Sequence, residues 1–134
     1  MTNEIAIAGG SSEAAGHSRG GAYDLAERTA RFGEAVIALA KHVPQNAITR
    51  PLISQVVRCG TSVESNYCEA DEADTNKEFR YRISVCKREA RETCFQIRML
   101  VAAEPQLREE ARAVWQEAKE LTLIFAAILR HPRK

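Results

Sequence analysis

Apolar residues recur along this chain at alternating steps of three and four, the period of a helix that buries one face. Leu25, Thr29, Phe32, Val36, Leu39 and Val43 form the first such seam, and Pro44 ends it. Asp24 is expected to open this helix, since a carboxylate there suits free N–H groups and the positive end of the dipole. A second seam runs through Leu52, Val56, Cys59, Val63, Asn66 and Ala70, and it puts a polar Asn66 in the middle of a core stripe. Pro51 fits its first turn, where a missing N–H costs nothing. The third seam, Phe79, Ile83, Cys86, Ala90, Thr93, Ile97 and Leu100, predicts the longest helix, over about 76–103. Asp74 or Thr75 is its N-cap, and Glu78 is placed to complete a capping box with Thr75. Glu104 and Pro105 break the pattern, which resumes at Leu107, Ala111, Val114, Ala118, Leu121, Phe125 and Ile128 and stops at His131 and Pro132. Four amphipathic helices on short links predict an all-α, antiparallel up-down-up-down four-helix bundle. The proline breaks argue against a two-helix coiled coil.

The bundle is expected over residues 24–130, with a basic tail at 131–134. Residues 1–23 carry Gly, Ser and Ala without periodicity. They cannot bury enough surface to offset an ordering entropy of about 1–2 kcal/mol per residue. They read as a disordered N-terminal arm, or as an extension from an early start codon.

At 134 residues and 45% hydrophobic composition the chain suits one domain with a continuous core. Its 19 basic and 18 acidic residues leave a formal charge of +1, so any nucleic-acid surface must be local. Cys59, Cys68, Cys86 and Cys94 form no CxxC pair and no zinc-like spacing with His17, His42 and His131. All four are expected in core or half-buried positions in a reducing cytoplasm, with no cofactor. No apolar run approaches the roughly 18 residues of a membrane span, so no membrane association is expected.

Charge concentrates on the third helix. Arg80, Lys87, Arg91 and Arg98 are spaced to line one edge of it, with Arg88 beside them. Such a ladder can track phosphates. The competing reading is a solvated face threaded with ion pairs to Glu89 and Glu92, with Glu69 brought near Arg80 by an antiparallel second helix. Asn66 needs hydrogen-bond partners if buried. With Ser62 and Glu69 it is expected to form a structural polar seam that fixes helix pairing. Enzyme chemistry finds no support: no histidine lies near a nucleophile, and no Glu-x-x-His pair offers a di-iron site. Ile53, Val57, Tyr67, Tyr81, Val85, Phe95 and Met99 exceed a single seam and could form a subunit interface. Trp115 is a further candidate anchor.

The run Arg58-x-x-Thr61-Ser62-Val63-x-x-Asn66-x-x-Glu69-Ala70, preceded by Gln55, resembles the second-helix signature of the 23S rRNA intervening-sequence protein family. Phe79, Lys87-Arg88-Glu89-Ala90-Arg91-Glu92-Thr93 and Arg98-Met99-Leu100 resemble that family's third helix in order and spacing. Gly60, Tyr67, Cys68 and Gln96 depart from its usual pattern. The resemblance implies a non-enzymatic bacterial bundle that assembles as a homo-oligomer, commonly a pentamer. A related branch, the accessory variability protein of diversity-generating retroelements, implies binding to nucleic acid, RNA or DNA, and to a reverse transcriptase. Carried over, Arg80, Lys87, Arg88, Arg91 and Arg98 are the nucleic-acid-facing candidates.

Overall fold

A computed structural model describes residues 21–131. Four helices form in the order the seams predict: α1 (Gly21–Lys41), α2 (Thr49–Asp71), α3 (Asn76–Ala103) and, after a 3-10 turn at Pro105–Leu107, α4 (Arg108–Arg130). α1 begins at Gly21, ahead of the expected start at Asp24. The last residues assigned to the arm therefore belong to the bundle, while residues 1–20 and 132–134 lie outside the described residues.

Each link is closed by side chains the sequence supplies for that purpose. Asn46 Oδ1 accepts from the N–H groups of Ile48 and Thr49, both at 2.9 Å, and Thr49 Oγ1 donates to Pro44 O at 2.6 Å. This clasp opens α2 two residues before Pro51, which stays in the first turn. Thr75 caps α3, its hydroxyl accepting from Glu78 N–H at 3.0 Å, so the expected cap forms. Pro105 opens the short turn before α4.

Successive helices pack against one another and α4 returns to α1, giving the predicted up-down-up-down order. The α1–α4 seam is the sparsest of the four. All six positions predicted for the first seam are buried, as are those of the fourth apart from half-buried Ile128. Phe32 and Phe125 sit at the centre of this core, each fully buried. Each contributes about 1.5–3 kcal/mol by leaving water.

The second seam needs correction. Asn66 is half-buried at the edge of α2, and Tyr67 takes the core position, 5% exposed, its ring centroid 6.5 Å from that of Phe125. Two interleaved stripes share Val56, Val63 and Ala70, and one continues through Cys59 and Asn66, the other through Gly60 and Tyr67. α1 approaches on the second side. A Cβ on Gly60 would stand 2.8 Å from both γ-carbons of Val36. The missing side chain thus lets two helices touch, and it draws the core face toward Tyr67.

Cys59 and Cys86 are buried, Cys94 is half-buried, and Cys68 is exposed, which departs from the core or half-buried placement expected for all four. Burial pushes the Cys86 thiol up to about 12. Cys68 reaches about 11 by another route: its thiol lies 3.0 Å from the Glu64 carboxylate, which stabilises the protonated form.

Two outcomes follow from these contacts. Gly60→Ala gains about 1 kcal/mol of helix propensity but forces a stiff β-branched neighbour to move, at about 1–3 kcal/mol. It should lower Tm in the wild-type background and raise it in a Val36→Ala background; equal effects in both would contradict the close approach. For Cys68, iodoacetamide labelling followed by mass spectrometry should be slow at pH 8, because the reactive thiolate gains population only as pH rises toward about 11. Glu64→Gln should speed it roughly tenfold by returning the thiol toward its ordinary pKa; an unchanged rate would remove the carboxylate as the cause.

Candidate nucleic-acid interface

The α2–α3 seam carries the polar residues that the sequence singled out. Asn66 donates through Nδ2 to Ser62 O at 2.9 Å, and its Oδ1 accepts from Arg82 at 3.0 Å. The amide therefore ties α2 to α3, as expected of a pairing lock, but from the edge of the core. Glu69 is exposed and takes no part. Its expected neighbour Arg80 turns the other way, donating to Leu129 O at 2.8 Å and so capping a carbonyl in the last turn of α4. Arg80 thus clamps the start of α3 to the end of α4 through one of its guanidinium donors.

Further along this seam, Arg58 of α2 reaches Glu89 and Glu92 of α3, at 3.6 and 3.7 Å. Glu89 is buried, and both acids project toward α2. This geometry bears on the ion-pair reading of the arginine ladder. The acids expected to neutralise it belong instead to Arg58. Among the described residues Lys87, Arg88, Arg91 and Arg98 form no ion pair. Arg88, Arg91 and Arg98 are exposed and Lys87 is half-buried.

α4 divides its charges in the same manner. Glu117 and Glu120 meet Arg28 of α1, at 2.6 and 2.9 Å, and Glu110 pairs with His42. These bonds raise the Arg28 guanidinium pKa, mainly through Glu117. The opposite edge of the helix holds Arg108, Arg112, Trp115 and Lys119, at steps of four, three and four, turned toward α3. Cys94 Sγ on α3 lies 3.9 Å from Trp115 O, and Lys119 Nζ stands 5.0 Å from the Trp115 ring centroid. Burial raises the Cys94 pKa while the Lys119 charge draws it back.

The result is a seam along α3–α4 with cations on both banks, of which Arg98, Arg108 and Arg112 line a cavity while Lys87, Arg91 and Lys119 lie along the helices beyond its lining. One bank carries Lys87, Arg91 and Arg98, the other Arg108, Arg112 and Lys119. Toward the α3–α4 turn it opens into a cavity of about 590 Å³ with Ile97, Val101 and Trp115 in its lining. Arg112 alone among these six has a carboxylate partner, exposed Glu109 at 3.2 Å. The sequence marks the α3 ladder as a nucleic-acid candidate and Trp115 only as a candidate subunit anchor, and it does not single out Arg108, Arg112 and Lys119. Their helical spacing, opposite to that of Glu110, Glu117 and Glu120, was the available signal. Among the described residues no cluster of His, Cys, Asp or Glu could hold a metal, and no helix is long and apolar enough to cross a membrane.

The fold matches a solved structure from Bacteroides thetaiotaomicron, a protein of unknown function from the S23 ribosomal protein family. The TM-score is 0.70 at 21% identity, over 78% of this chain and 97% of that one. No curated protein matches the chain in sequence. The family profile described as 23S rRNA-intervening sequence protein matches residues 22–127, which spans all four helices. With the second- and third-helix motifs standing on the seams described above, the chain belongs to the 23S rRNA-intervening sequence protein family.

Proposed function

We propose that this chain is a non-enzymatic, homo-oligomeric binding module that associates with RNA through the cationic groove of α3–α4. The observation that carries the reading is the segregation of charge. The overall formal charge is only +1, yet the carboxylates of α3 and α4 turn to Arg58 and Arg28 and leave the cations between these helices unneutralised. Arg112, held by exposed Glu109, is the exception among the six; polyanions bind rows of free cations by releasing counterions, which makes affinity fall with salt. The family's name, which ties it to rRNA, favours RNA over DNA as the first polyanion to test. A link to the retroelement branch would add a reverse transcriptase as partner on the same surface.

Assembly is supported by a separate feature. Tyr81 and Phe95 on the outer face of α3 are 58% and 54% exposed, and Leu123 on α4 is 63% exposed. Tyr81 and Phe95 stand about 21 Å apart along the helix, so they mark points that a long subunit contact along α3 would cover. They also favour the second reading, a scaffold for protein partners with no nucleic acid bound.

Charge reversal separates the two readings. Arg91→Glu with Arg98→Glu should weaken binding to single-stranded RNA and lower the slope of log K against log salt by about 1 per residue, with helix content unchanged by circular dichroism. Absence of RNA binding by the unaltered chain at low salt would leave the scaffold. Light scattering should return a multiple of the 14.9 kDa chain, with five copies as the expected assembly. A 14.9 kDa species would end the oligomer proposal.

A further inference from the structure

A row of cations on a convex helix face is enough to hold a phosphate backbone, and it needs no cavity. This groove has one, and its walls are not uniform. The floor is apolar, with Ile97, Val101 and the half-buried indole of Trp115, while Arg98, Arg108 and Arg112 stand around it. The register that sets Arg80 beside Leu129 and Cys94 beside Trp115 also sets Arg98 across from Arg112, and Arg91 near the level of Lys119. At the level of the cavity a cation therefore faces a cation beside the Trp115 surface, with Arg91 and Lys119 continuing the two rows beyond it. The indole already attracts positive charge, with Lys119 held over its ring at 5.0 Å.

The occupant of such a space combines a flat apolar body with negative charge on either side. A duplex does not meet that description, because its bases are stacked inside and it presents phosphates and 2′-hydroxyls to a protein. It would neutralise the banks and leave the floor uncovered. An unpaired nucleotide offers a π-face for the indole and arginine planes and a phosphate before and after it. We infer that the α3–α4 groove is a single-strand site, in which one unpaired base stacks against Trp115 and the adjoining phosphates pair with Arg98 and Arg112. This inference rests on the RNA-binding reading and adds to it the strand state and the residue that senses the base.

Trp115 is the sole tryptophan of the chain, so its fluorescence reports on the groove directly in the unaltered protein. Titration of the full chain with a short oligouridine strand at low salt should quench Trp115 emission along the same isotherm as binding measured by strand anisotropy. A blunt RNA duplex of the same length should bind more weakly and quench little. Trp115→Leu should weaken oligouridine binding roughly tenfold and Trp115→Phe much less, since stacking needs an aromatic face. Oligouridine binding with unchanged emission would overturn the single-strand site while leaving RNA association intact. Equal quenching by polyglutamate would overturn it in favour of an acidic peptide as the occupant. No binding of either RNA would overturn the RNA-binding reading and this inference with it. The quenching test stands even if the Trp115→Leu protein folds poorly.

Discussion

Arg28 holds Glu117 and Glu120 on the α1–α4 seam, where apolar packing is thinnest. That pairing does two things at once. It ties the last helix to the first, and it gathers two carboxylates on the edge of α4 away from Trp115, Arg108, Arg112 and Lys119, whose direction along α3 follows from the buried face Leu107 to Phe125. Arg58 plays the matching part on the opposite side, holding Glu89 and Glu92 toward α2. Partly exposed pairs of this kind contribute little to stability, commonly up to about 1 kcal/mol each. Their larger effect is on where negative charge is absent. A chain of formal charge +1 acquires one cationic groove because Arg28, Arg58 and His42 draw Glu89, Glu92, Glu110, Glu117 and Glu120 elsewhere and leave Glu109 beside it.

The core that positions this groove follows from the periodicity of the chain. Leu25 to Val43 and Leu107 to Phe125 alternate so regularly that their buried faces could be named before any coordinate was known. The second helix was less legible, for a physical reason. Asn66 and Tyr67 both fall within the wide face that a globular helix buries, and the period alone does not rank them. The choice is made by Gly60, which lets Val36 of α1 approach on the side of Tyr67. That contact is a property of two helices, so it is absent from the pattern of either.

The groove was half legible. The α3 bank was visible as a ladder because its residues share one edge of one helix. Whether Glu89 and Glu92 would neutralise it depended on Arg58, a neighbour known only once the helices are packed. Arg80 shows the same dependence on packing: its spacing matches the ladder, but at the end of the bundle the carbonyl of Leu129 lies within its reach and gives it a structural contact that spacing alone does not announce. The second bank escaped notice because Arg108, Arg112 and Lys119 are interspersed with glutamates along the sequence and part from them only around the helix.

The claim that both banks face one polyanion is tested most directly by lysine footprinting, since each bank contributes one lysine. With the full chain acetylated under limiting reagent and read by mass spectrometry, single-stranded RNA should protect Lys87 and Lys119 together. Lys41 at the end of α1 and Lys77 at the start of α3 should react as they do without RNA. Protection of neither groove lysine under conditions where RNA is bound, or of Lys41 and Lys77 instead, would contradict the account.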